Sequence, residues 1–255
     1  MAKNDSIKEI IIKSGNNFHY KVVEFLKTNG WDVLVSPYYC DNITNKSREL
    51  DIIAEKLIPV QDMGQFLGDI KIRIFVECKY IKNEVVFWFD DIDRKKAEEF
   101  FGLNAVNFGG NVPHYFINQQ VAKIFSSSKT NQDNDVIFKS ITQSLNGLIY
   151  YKNKNIFPKE YSAPLKKQIN LPIIVCDKFD FYKVKKDDTY EEINDTFQIE
   201  LNYSYLNENN KHETDYFLID VINFRDLESF FDYLIREDIK IFINDILFKD
   251  HMKRK

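Results

Sequence analysis

Residues 70–80 read IKIRIFVECKY. The apolar residues alternate at first and then run together, the pattern of a strand that becomes buried on both faces. Glu77 and Lys79 interrupt it. Residues two apart on a strand project to the same face, so these two point one way and Cys78 the other. Charged groups rarely sit inside an apolar strand without a partner or a metal. Upstream, residues 49–55 read ELDIIAE, a second strand that carries Asp51. If the two strands are neighbours, two carboxylates and one ammonium gather at one place. The carboxylates alone would repel each other, and a hard divalent cation with oxygen ligands removes that repulsion. The lysine is then near enough to orient a water or to meet charge developing on a phosphate.

Working outward, residues 6–28 carry Ile7, Ile11, Ser14, Phe18, Val22 and Phe25 at helical spacing, and Asn29-Gly30 stops that helix. A strand is predicted over 31–35, a polar turn over 41–47 and a loop over 56–68, where Pro59, Gly64 and Gly68 fall. Downstream, the pattern predicts a short strand at 85–89 and a helix over 90–101 with acids in its first turn. A strand follows at 114–117, then a loop at 126–134 and a helix over 135–151. The polar stretch 152–168, with Pro158 and Pro164, reads as a connection. Strands are then predicted at 172–176, 179–184, 197–205 and 216–221, with helix over 225–247 in one or two pieces. Residues 118–125 fit neither pattern.

Asp51 on one strand and Glu77-Cys78-Lys79 on the next, after an N-terminal helix, resembles the PD-(D/E)XK nuclease superfamily. The wording RELDI (48–52) and VECKY (76–80) looks like its restriction-endonuclease-like, Mrr-type branch. GWDVLVSPYYCDNITNKSRELDII (30–53) is similar to bacterial members of that branch. The resemblance covers residues 15–82 well, 83–151 loosely, and the C-terminal part not at all. It implies an α/β fold with a restriction-endonuclease-like core (helix, mixed central sheet, helix) over residues 1–151. Residues 171–255 would then be a C-terminal α+β extension, in the same domain or a second one. It also implies hydrolysis of phosphodiester bonds with Mg²⁺, or Mn²⁺ as substitute. Asp51, Glu77 and the Cys78 backbone carbonyl would hold the metal, and Lys79 would position or activate the attacking water. An acid-x-Lys triplet alone carries little, since Asp69-Ile70-Lys71, Asp93-Arg94-Lys95 and Asp238-Ile239-Lys240 also fit it. The surrounding strands and the preceding helix make the Glu77 triplet distinctive.

The family usually places a glutamate on the first helix, about three turns before the glycine that ends it. Here His19 holds that position, and Glu24, with the family's chemistry, lies more than a turn later. Either could serve the site. Gln143 on a later helix and Lys82 just past the strand are candidates for contact with the substrate backbone, as are Lys152 and Lys154 for phosphates. Each also reads as an ordinary solvent-facing residue. The alternative to an enzyme is a catalytically degenerate nuclease-fold protein that binds nucleic acid or a protein partner without cutting.

Composition bounds these readings. Of 255 residues, 44% are hydrophobic and 29% charged, which describes a globular chain. A net charge of −4 disfavours a non-specific nucleic-acid coat and leaves room for an enzyme with acids in its centre. Three scattered cysteines and four scattered histidines make no zinc spacing and no disulfide framework. No apolar run approaches the roughly 18–20 residues of a membrane span, and the first residues lack the apolar region of a signal peptide. The expectation is a cytoplasmic protein that engages nucleic acid, DNA before RNA, with no membrane. By resemblance it would work in phage defence, as a homo-oligomer or with a defence-system partner protein. No phosphate-binding glycine loop or nucleophile elbow is present.

Overall fold

The computed structural model of the chain describes residues 7–9, 11, 15–41, 46–102, 119–127, 135–157, 165–185, 187–207, 209 and 211–253. The first half forms helix α1 (Asn16–Thr28), then strands β1 (Asp32–Val35), β2 (Tyr38–Asp41), β3 (Lys46–Glu49), β4 (Ile52–Asp62), β5 (Gln65–Lys79) and β6 (Val85–Asp91). Helix α2 (Arg94–Phe100), strand β7 (Gln120–Ser127) and helix α3 (Val136–Tyr151) follow. Strands β8 (Leu165–Cys176), β9 (Phe181–Val184), β10 (Tyr190–Glu192), β11 (Phe197–Leu206) and β12 (His212–Asn223) lead to helices α4 (Leu227–Tyr233) and α5 (Ile239–Lys253). A π-helical turn at Leu234–Asp238 joins the last two. No helix among the described residues is long and apolar enough to cross a membrane.

The fold is α/β around one large mixed sheet, ordered β1-β4-β5-β8-β12-β11-β7-β6-β9-β10, with β2 and β3 paired as a separate hairpin. β5 runs antiparallel to β4 and parallel to β8, which is in turn parallel to β12. The alternation in β5 sets the layers. Ile70, Ile72, Ile74 and Val76 share a core with Phe18, Val22 and Leu26 of α1 and with Phe230 and Phe242 near the C-terminus. Phe75 faces the other way and packs with Ile137, Ile141 and Leu145 of α3. By the period of two, Lys71, Arg73, Glu77 and Lys79 lie on the Phe75 face.

Several sequence expectations need correcting. The helix expected over 6–28 has its continuous run at Asn16–Thr28, because Gly15 takes a left-handed φ of 71° at its N-cap. Its end is as expected: Gly30 has φ 74°, its N–H donates to Lys27 O (3.1 Å), and the Trp31 N–H donates to Leu26 O (3.1 Å). The predicted loop at 56–68 is instead a long β-hairpin of β4 and β5, turning at Met63-Gly64. Pro59 fits within β4 because β1 pairs only as far as Glu55, so β4 is an edge strand there. Asp41, Lys46 and Ser47 from the polar stretch 41–47 pair in the β2–β3 ladder. Asp90 and Asp91 finish β6, and Asp93 caps α2 by accepting from the Lys96 N–H (3.2 Å). β8 begins at Leu165, inside the expected connection. Strand 114–117 lies outside the described residues.

Residues 165–223 supply β8 to β12, so the C-terminal part completes the sheet that β4 and β5 begin. β8 pairs β5 from Asp69↔Leu165 to Lys79↔Cys176, and its run LPIIVC (171–176) is buried.

Two local devices lend themselves to measurement. Asp135 caps α3, accepting from the Ile137 and Phe138 amides (2.8 and 3.0 Å) and from Ser127 Oγ (2.6 Å). Asp135→Ala should cost about 1–2 kcal/mol, read as a lower urea midpoint; an unchanged midpoint would show that the cap contributes nothing. Asp220, buried near the C-terminal end of β12, is raised to about 7 by burial, partly opposed by the Gln198 amide that donates to it (3.0 Å). The folded state therefore holds that proton more tightly than the unfolded chain. Its stabilising effect is full below the ordinary carboxylate range and is lost as pH rises to about 7, at up to ~1.4 kcal/mol per pH unit. Asp220→Asn should flatten that slope. Parallel melting curves for the two proteins between pH 4 and pH 8 would argue against it.

Candidate active site

β4 and β5 bring the chemistry together at one end of their ladder. The last paired positions there are Ile52↔Val76. Asp51 sits in the bend just before β4, and Glu77, Cys78 and Lys79 continue β5 past it. The Leu50 N–H, which a longer ladder would set against the Cys78 carbonyl, donates instead to Pro37 O (3.0 Å). The place left beside Cys78 is taken by the Asp51 carboxylate, whose Oδ2 accepts the Cys78 N–H (2.7 Å). The Asp51 N–H in turn donates to Glu77 Oε1 (3.3 Å). The amide and carbonyl of one strand residue point to the same side. The Cys78 carbonyl is therefore directed to the side where Asp51 lies.

Lys79 closes the group. Its Nζ donates to Glu77 Oε2 at 2.6 Å and lies 3.9 Å from Asp51 Oδ2. Exposure is graded: the Glu77 side chain is 0% exposed, Lys79 18% and Asp51 24%. The cluster thus opens to solvent on the Asp51 and Lys79 side. Burial pushes Glu77 up to about 8, against the pull of the Lys79 ammonium and with the help of the Asp51 charge. Burial would lower Lys79, but Glu77 and Asp51 more than offset it, so its pKa is raised. Lys79 is therefore protonated near neutrality, a donor and a fixed positive charge rather than a proton acceptor. Tyr39, buried on the same side, is raised by burial and by the nearby Glu77 carboxylate.

His19 comes to this place from α1. Its Nε2 meets the Asp51 carbonyl oxygen at 3.0 Å, and the Ser36 N–H donates to that oxygen as well (2.8 Å). A carbonyl only accepts, so Nε2 carries the proton in this contact. Here His19 steadies the backbone of Asp51, and Nε2 is not presented as a metal ligand. Glu24 is exposed on α1, with no described contact to the cluster. Gln143 of α3 donates to Glu49 O (3.1 Å), pinning the segment that leads into Asp51. Lys82 is exposed just past β5. Asp177 went unnoticed in the sequence. Its carboxylate accepts the Ile81 N–H (2.7 Å) and its own N–H donates to Lys79 O (3.0 Å), which holds the end of β5 in place. Its partner lies 96 residues away in the chain, so no local pattern marked it.

No family model, curated protein or solved structure matches the chain. The functional reading therefore rests on the residues themselves. The fit of a divalent cation can be tested on their chemistry. Two carboxylates and a backbone carbonyl directed to their side make a hard, oxygen-only donor set, which suits Mg²⁺ or Mn²⁺. The raised Glu77 shows a buried carboxylate that Lys79 only partly compensates, and a cation would favour its charged form. Among the described residues, no group of three or more His, Cys, Asp and Glu side chains forms a metal cluster. The carboxylates at this place are two.

Proposed function

We propose that the protein is a metal-dependent endonuclease with a restriction-endonuclease-like core, hydrolysing phosphodiester bonds of DNA in preference to RNA. One observation carries the reading: Asp51, Glu77 and Lys79 converge at the open end of two paired strands, linked through the Cys78 amide. The helix–sheet–helix layering around β5 is compatible with such a core. Asp51 and Glu77 would hold the cation, with the Cys78 carbonyl beside them. When bound, a hard divalent cation supplies Lewis-acid stabilisation of phosphate charge. Lys79, protonated, donates a hydrogen bond to the attacking water or to a phosphate oxygen. His19 and Gln143 keep the Asp51 segment in register with β5.

The test is cleavage of supercoiled plasmid, single-stranded DNA and RNA with Mg²⁺, Mn²⁺, Ca²⁺ or EDTA. Mg²⁺ or Mn²⁺ should support cutting. Ca²⁺, with longer bonds and looser geometry, should support binding without cutting. Full activity in EDTA would sink the metal mechanism. A second reading, a protein that binds nucleic acid without cutting it, is favoured by one feature: the first helix brings His19 to a backbone carbonyl, with no third carboxylate at the cluster among the described residues. Binding that leaves every substrate intact in both metals would establish that reading instead.

A further inference from the structure

A second place in the molecule has features of a ligand site. β8 and β12 pair only from Ile173↔Asp220 to Cys176↔Asn223. Toward their other ends β8 stays on β5 and β12 stays on β11, so the sheet splits between them. Phe100 of α2 stands at the split, edge-on to Tyr216 and Phe217 with ring centroids 6.3 and 5.8 Å away. A cavity of about 490 Å³ lies there, walled by these rings and by the polar Asn170, Asn202, Thr214 and Asp215.

Beside it lies a second cavity of about 480 Å³, and the two share Lys152, Gln168 and Asn170 as a common wall. The second is lined by Lys71, Lys152 and Lys154 with carboxamides between them, and by no carboxylate among the described residues. This is notable in a chain of net charge −4. Of these lysines, Lys71 is buried and lies 3.7 Å from the Glu55 carboxylate, so its charge is matched there. Arg73 pairs with Glu55 and donates to the Tyr151, Lys152 and Lys154 carbonyls at the end of α3. Gln168 also donates to Lys152 O (2.7 Å).

We propose that the joined cavities bind a free nucleoside phosphate. Its phosphates meet Lys152 and Lys154, compact ammonium donors suited to phosphate oxygens. Its base enters the split against Phe100 and Tyr216, where Asn202 and Asp215 offer a donor and acceptors to its edge. Each cavity falls within the roughly 300–1,000 Å³ usual for small-molecule sites. Lys71 precedes Glu77 by six residues of β5, about 20 Å along a strand. The site is therefore separate from the candidate active site and does not depend on the nuclease reading.

The test is calorimetric titration of the full chain in EDTA with ATP, GTP, CTP and UTP, and separately with inorganic triphosphate and a single-stranded oligonucleotide. At least one nucleoside triphosphate should bind saturably and more tightly than triphosphate alone. Lys152→Glu with Lys154→Glu should weaken that binding at least ~tenfold, by reversing two charges beside the phosphates. Asn202→Trp, at an exposed position, should block the split and weaken the nucleotide while sparing triphosphate. Unliganded melting curves of both variants establish that they fold. Equal binding by triphosphate, binding by the oligonucleotide alone, indifference to the lysine reversals, or no saturable binding would each overturn the proposal.

Discussion

Lys79→Ala is expected to slow metal-dependent cleavage by roughly 10²–10³-fold while the protein keeps its fold and still binds substrate in Ca²⁺. The reason is that, among the described residues, Nζ is the one ammonium within ion-pair distance of both carboxylates, 2.6 Å from Glu77 and 3.9 Å from Asp51. Its raised pKa makes it a hydrogen-bond donor at neutral pH. Lys79→Arg should recover little, because a planar guanidinium cannot replace a compact point charge in the same space. Asp51→Ala and Glu77→Ala should abolish cleavage altogether, since each removes one of two carboxylates. His19→Ala should cost less than either, because His19 acts on the Asp51 backbone. A plasmid-nicking rate at the wild-type level for any of the Asp51, Glu77 or Lys79 variants would show that the site is wrongly assigned.

The largest stability effect is expected at Arg73→Met. Arg73 is 1% exposed, its Nε 2.5 Å from Glu55 Oε1 and its Nη2 on the same oxygen. Its Nη1 donates to Tyr151 O at 2.6 Å and to Lys152 O at 3.2 Å, and Nη2 to Lys154 O at 2.9 Å. One side chain thus neutralises a buried carboxylate and satisfies the carbonyl end of α3, where the helix dipole favours a cation. Among the described residues, removing it leaves Glu55 with only the more distant Lys71, at 3.7 Å. The loss should be about 3–5 kcal/mol, a large part of the ~5–15 kcal/mol that holds a typical domain. Glu55→Gln combined with Arg73→Met should recover part of it. Urea unfolding followed by circular dichroism reads both, and a shift below about 1 kcal/mol for Arg73→Met would contradict the geometry.

Some of this was legible before any coordinates. The apolar rhythm of IKIRIFVECKY determined β5 and the common face of Glu77 and Lys79, because a strand's side-chain period is local. Asn29-Gly30 marked the end of α1, because only a glycine adopts that positive φ without strain. The helix over 135–151 was equally plain, and α3 runs over Val136–Tyr151. These features depend on a few consecutive residues, and a few consecutive residues suffice to read them.

What the tertiary structure alone decided involves partners far apart in the chain. Lys71 and Arg73 read as the polar side of the alternating part of the strand, yet they are buried, because α3 ends above them some eighty residues later. Pro59 and Gly64 suggested a loop, and the edge of β4 and a tight turn accommodate them within a hairpin. The His19 position suggested a metal ligand. The path of the chain through Ser36 and Asp51 instead set a backbone carbonyl before its imidazole. Whether the C-terminal part stood apart depended on which strand β5 would accept on its free side. That register, β5 on β8, joins residues about a hundred positions apart, and burial on both faces of the sheet, rather than any local signal, selects it.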